Sequence, residues 1–192
     1  MNRPRGRPTR GQGVTLDAIL EAALVLLEQD GGRGLSMRAL AAQMALTPMS
    51  LYHHVEDRAG LLRALAEKVY GGVLDEAGSP ADAMAAVREL LVRYHDAVGR
   101  HPQLTLAIFA EPAAMAGTAQ RITERLGGLL EALTRENVLW RDILVDHAHG
   151  SGLALGAFRA DPQQSAALRE QYLRALDALL AQFAGGASAR TA

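Results

Sequence analysis

Between Ser36 and Arg58 the sequence gathers side chains able to bond phosphates or read the edges of bases: Ser36, Arg38, Thr47, Ser50, Tyr52, His53, His54 and Arg58, with Pro48 and Met49 among them. Arg38 carries a planar fork that can grip a guanine through two parallel hydrogen bonds, Met49 can lie against a thymine methyl, and Ser50 and Tyr52 can bond phosphate oxygens. Arg58 is a candidate backbone clamp. This chemistry is recognition rather than bond making. Residues 80–184 hold no Ser/His/Asp order, no phosphate-cradling glycine loop and no metalloprotease helix. The chain has no cysteine, which removes thiolate nucleophiles, disulfides and zinc ribbons. No enzyme and no cofactor are expected.

The segment Pro4-Arg5-Gly6-Arg7-Pro8 is similar to the core of an AT-hook, in which an extended Arg-Gly-Arg lies in a narrow A·T-rich minor groove. Arg5 and Arg7 would enter that groove. The charge distribution agrees. The whole chain carries a formal net charge of -1, which taken alone argues against a nucleic-acid partner. Residues 1–70 carry +2, however, the first twelve residues alone +4, and residues 71–192 carry -3. A nucleic-acid contact therefore belongs to the N-terminal part.

The elements that must position these side chains follow from periodicity. Only 4% of residues are aromatic and Ala, Leu and Arg abound, which predicts an all-α chain. Residues 1–13 read as a disordered basic arm. Thr15 caps a helix with Leu16, Ile19, Leu20, Ala23, Leu24 and Leu27 on its apolar side, stopped at Asp30-Gly31-Gly32. Ser36 caps a short helix through Met44, and Thr47-Pro48 starts another through about His54. Asp57 caps a longer helix as far as Leu74. Two short helices joined by a tight turn after a longer one make a helix-turn-helix plan. Leu51 and Val55 should point inward, turning Pro48, Met49, Ser50, Tyr52 and His53 outward.

Gly78-Ser79-Pro80 marks the start of a second unit, with Ser79 as cap. Helices are expected from Pro80 to about Gly99, Pro102 to Ala110, Ile122 to Leu133, Trp140 to Phe158 and Gln163 to Ala184. The predicted organisation is an arm (1–13), a helix-turn-helix unit (14–75), a second helical unit (76–185) and a flexible tail (186–192). The basic N-terminus lacks a following apolar stretch, and no long uncharged apolar run offers a membrane span, so a cytoplasmic location is expected.

The segment SMRALAAQMALTPMSLYHHVEDRAGLLRAL resembles the helix-turn-helix of tetracycline-repressor (TetR) family regulators. Ser36, Arg38, Leu40 and Ala41, then Leu51, Tyr52, His54 and Val55, and finally Asp57, Arg58, Leu61 and Leu62 follow that family's pattern. The match covers about residues 14–70. One departure is visible: Ala45 stands where the family usually has a turn glycine, at a cost of about 1 kcal/mol if that position needs positive φ. The resemblance implies that Thr47, Pro48, Met49, Ser50, Tyr52, His53 and His54 face the major groove or its flanking phosphates. It further implies a C-terminal domain that dimerises and senses a small molecule, giving a homodimer on a palindromic operator in double-stranded DNA. The expected function is a transcriptional repressor whose operator affinity is lowered by an effector; an activator or an effector-independent architectural protein are the alternatives.

For dimerisation the sequence offers the last helix, with Tyr172, Leu176, Leu179 and Phe183 on a wide apolar stripe, and Ala148, Gly152 and Gly156 at spacing four in the helix before it. For a pocket it offers large or amphipathic side chains amid aliphatic ones: Met84, Tyr94, Phe109, Met115, Trp140 and His147. Together these suggest a small apolar effector with a few polar anchors. Asp142, Asp146 and His149 share one helical face that could hold a polar ligand group; no metal is expected there.

Overall fold

The computed structural model of the chain describes residues 14–29, 34–75 and 82–188, with side chains as far as residue 182. The arginines of the hook-like segment, Arg5 and Arg7, lie outside the described residues. The order is α1 (Leu16–Gln29), α2 (Met37–Gln43), α3 (Pro48–Tyr52) and α4 (Arg58–Tyr70), then α5 (Ala83–Arg100), α6 (Pro102–Phe109), α7 (Thr118–Glu131), α8 (Asn137–Ala157) and α9 (Pro162–Ser188). Single 3-10 turns follow α4 and α6, and no strand occurs among the described residues.

Short polar side chains set most of the helix starts. Ser36 Oγ accepts from the Ala39 amide at 3.1 Å, Thr47 Oγ1 from that of Ser50 at 3.3 Å, and Asp57 Oδ1 from that of Gly60 at 2.6 Å. Each satisfies an amide that has no partner within its helix. In the second unit the boundaries depart from expectation. α5 is capped by Asp82, whose Oδ1 accepts from the Met84 amide at 2.9 Å; Ser79 and Pro80 lie outside the described residues. α8 starts at Asn137, before Trp140, and α9 runs past Ala184 to Ser188.

One continuous buried cluster runs from Ile19 in α1 to Leu180 in α9. α4 carries it from the first unit to the second, through Leu61, Leu62, Leu65, Ala66 and Tyr70. Lys68 fastens α4 to α1 through Asp17 at 2.5 Å and Glu21 at 2.8 Å.

The most extensive helix pair is α5 with α8, and its closeness depends on glycine. A Cβ added at Gly152 would stand 2.7 Å from Val98 Cγ1 and 3.1 Å from the His95 carbonyl oxygen; at Gly156 it would stand 2.7 Å from Pro102 Cγ and 3.2 Å from the Gly99 carbonyl oxygen. Ala148, Gly152 and Gly156 are therefore spent inside the chain, not on the dimer surface expected for them. Tyr172 and Leu176 are likewise buried within the chain, and the Tyr172 hydroxyl donates to the Leu91 carbonyl at 3.1 Å. Leu179 is half-buried against the same core, while Phe183 falls beyond the described side chains. Residues on the other side of α8 stay open: Leu139 is 54% exposed, and Ile143 is also exposed.

Candidate functional site

Two separate places gather functional side chains. The first is the face of α2 and α3. Between them the Leu46 amide donates back to the Ala41 carbonyl at 2.8 Å, and Ala45 has φ +53°. That is a glycine-type helix stop built on alanine, so the strain expected from the sequence is present. The turn throws α3 away from α2 with Leu51 and Val55 buried, as their spacing requires. Thr47, Pro48, Met49, Tyr52, His53 and His54 are left exposed, Met49 at 65%, with Ser50 half-buried beside the Thr47 hydroxyl at 2.9 Å. Ser36 and Arg38 are exposed on α2. A protruding short helix with hydroxyl, imidazole, phenol and thioether groups on one rim matches a base-edge and phosphate reader.

Arg58 is the exception. Its guanidinium donates to the Leu35 carbonyl at 3.4 Å and pairs with Glu111 at 3.3 Å, so the residue proposed as a clamp reaches into the second unit. Arg63 donates to the Ala113 carbonyl at 3.0 Å, and Glu67 accepts from Arg121 at 2.7 Å and from the Thr118 hydroxyl. These bonds hold the Glu67 carboxyl below its usual range, the Thr118 hydroxyl contributing most. α4 is thus hooked along its length to residues 111–121.

The second place is a cavity of about 250 Å³ walled by Tyr70 of α4, Tyr94 of α5, Thr105, Ile108 and Phe109 of α6, Met115 of the link after α6, Ala119 and Thr123 of α7, and Val145, Asp146 and His149 of α8. The polar wall is paired: the Tyr70 hydroxyl with Thr105 Oγ1 at 2.7 Å, and the Tyr94 hydroxyl with His149 Nε2. Rings meet edge to face, Tyr70 with Tyr94 at 5.9 Å and Phe109 with His149 at 4.7 Å between centroids. Burial pushes Tyr70 up to about 12 and Tyr94 higher still. Burial also pulls the His149 imidazole below its ordinary value, against the opposing effect of Asp146. Phe109 and Met115 are each partly exposed and form the mouth.

The structure brings together Tyr94, Phe109 and Met115 of the pocket residues expected from the sequence. It sends the other three elsewhere: Met84 and Trp140 pack on the core, and His147 lies between α8 and α9, stacked 5.2 Å from Tyr172. Asp142 pairs with Arg141 at 2.7 Å, so it does not join Asp146 and His149. Tyr70, Thr105, Ala119 and Thr123 were missed. Their signal was faint, because small or hydroxyl side chains on separate helices become a wall only after folding. A buried histidine was also missed: His95 stacks on Tyr172 at 3.7 Å and bonds Ser151 Oγ at 3.1 Å and Asp96 at 3.3 Å. It belongs to the seam of α5, α8 and α9 rather than to the cavity.

Residues 19–65 match the family described as bacterial regulatory proteins, tetR family. Over 172 residues the chain is 31% identical to the HTH-type transcriptional repressor DrrR1 of Streptomyces coeruleorubidus, a match covering 85% of this chain and 60% of the relative. It therefore spans less than two thirds of that relative's length. Among solved structures it resembles the transcriptional regulator SCO7222, a TetR from Streptomyces coelicolor, with TM-score 0.68, 26% identity, and 88% and 97% of the two chains covered. It also shares the fold of BioQ solved with its natural double-stranded DNA operator, with TM-score 0.67, 21% identity, and 89% and 98% covered.

Proposed function

The chain belongs to the tetR family of bacterial regulatory proteins, and on that premise we propose that it is a homodimeric transcriptional repressor that leaves a palindromic operator when a small, largely apolar molecule with a polar anchor enters the cavity. DNA is read by α2 and α3, with Met49, Ser50, Tyr52, His53 and His54 at the major groove and Ser36 and Thr47 at phosphates. Arg5 and Arg7 add minor-groove contacts. The dimer forms through the outward faces of α8 and α9, with Leu139 and Ile143 of α8 exposing apolar surface that a second copy would bury.

One observation carries the regulatory part of this reading. The segment that walls the cavity with Phe109, Met115 and Ala119 is the segment that holds α4, through Glu111, Ala113, Thr118 and Arg121. Tyr70 joins both: it ends α4 and lines the cavity. A ligand that spreads Phe109 and Met115 must move these anchors, and with them the helix that orients α1 to α3. Ligand then favours a state in which the two α3 helices of a dimer are wrongly spaced for adjacent major grooves. The same coupling requires that DNA weaken ligand binding by the same factor.

Fluorescence anisotropy on a labelled operator tests this. Small, largely apolar compounds should release DNA from the natural chain, whereas Ala119→Phe, whose ring already occupies the cavity, should hold whatever operator affinity it has unchanged on their addition. Equal release from both would place the effector elsewhere.

A further inference from the structure

Among the described residues lining the cavity, Asp146 carries the single carboxyl side chain; no lysine or arginine faces the space. The remaining polar groups are already engaged with one another, Tyr94 with His149 and Tyr70 with Thr105, and Thr123 donates to the Ala119 carbonyl at 3.1 Å. The wall therefore offers a ligand three aromatic rings, aliphatic surface and one carboxylate at the rim.

An anionic ligand would enter a mostly apolar space with no counter-ion and would approach the exposed carboxylate of Asp146, which is unfavourable. A neutral ligand would leave Asp146 unused. A cation gains the carboxylate and the faces of Tyr70, Tyr94 and Phe109, whose ring quadrupoles attract positive charge. Burial disfavours the charged form of His149, which lessens its opposition to a cation. At about 250 Å³ the cavity lies just below the usual range of ligand sites, which favours a compact molecule.

We propose that the effector is a compact aromatic amine, its ammonium group held by Asp146 and its ring system packed between Tyr94 and Phe109. This rests on the assignment of the cavity as the effector site.

Three probes with one ring system and different charge test it by calorimetry on the full chain: naphthylmethylamine, naphthylmethanol and naphthoate. The amine should bind about tenfold more tightly than the alcohol, and the carboxylate more weakly than either. Asp146→Asn should bring amine and alcohol to within about threefold of each other. Asp142→Asn, whose carboxylate pairs with Arg141 outside the cavity, should leave the ranking intact. Binding of all three with no preference for the amine, or a preference that survives Asp146→Asn, would overturn the proposal while leaving the effector site standing. Binding of none, or binding unaffected by Ala119→Phe, would overturn the proposal together with the assignment of the cavity.

Discussion

Gly152→Ala tests the packing that builds the cavity. The added Cβ would meet Val98 Cγ1 at 2.7 Å and the His95 carbonyl oxygen at 3.1 Å. Val98 is fully buried and a carbonyl in the middle of α5 cannot rotate aside, so α5 and α8 must separate. Overpacking of this kind costs about 1–3 kcal/mol, against about 1 kcal/mol gained from alanine's better helix propensity. The net expectation is a loss of about 1 kcal/mol, or about 2–4 °C in Tm for a chain of this size. The internal control is Gly128→Ala in α7, where an added Cβ meets nothing within 4 Å. There only the propensity gain remains, so the same substitution should raise Tm. The assay is thermal melting by circular dichroism at several protein concentrations. The loss at Gly152 should persist at every concentration, because its partners lie in the same chain. A rise in Tm for Gly152→Ala, or a loss that vanishes at high concentration, would refute the intrachain seam and return these glycines to the dimer surface.

Other outcomes follow from the same geometry. Ala45→Gly should stabilise the first unit by up to about 1 kcal/mol, since relief at φ +53° outweighs glycine's extra freedom in the unfolded chain; an unchanged or lower Tm would contradict this. Glu111→Gln removes the charge that holds Arg58 without touching α3, and as a partly exposed pair it is worth less than about 1 kcal/mol of stability. Operator binding should persist while the effector concentration for half-release shifts several-fold, measured by anisotropy. Burial lowers the pKa of His101, His147 and His149 below the unfolded value. Their stabilising contribution is therefore complete above about pH 6.5 and is lost as pH falls through the depressed folded values. Tm should drop between about pH 7.5 and about pH 5.5, and His149→Gln should flatten that drop.

Local chemistry was readable because it is local. Ser36, Thr47 and Asp57 cap helices whose first turns they adjoin, and Ala45 declared its strain by occupying a glycine position. The outward set on α3 followed from two inward residues, Leu51 and Val55. Pairings across the chain were not readable. Arg58 shows its charge in the sequence but not its partner Glu111, 53 residues away, and Tyr70 meets Thr105 only once α4 and α6 pack. Small residues at spacing four in α8 announced a close helix contact without saying with which helix. The cavity was half legible: Tyr94, Phe109 and Met115 stand out by size, whereas Ala119 and Thr123 matter for the space they leave.

The most direct test of the account is enrichment of duplexes from a random double-stranded pool, followed by affinities for the enriched sequence. The enriched duplexes should share an inverted repeat with half-sites about one helical turn apart. Met49→Ala and Tyr52→Ala should each weaken binding about tenfold or more, the size of one lost base or phosphate contact. Failure to enrich any sequence, or affinities unchanged by both substitutions, would contradict a chain that reads DNA through α3.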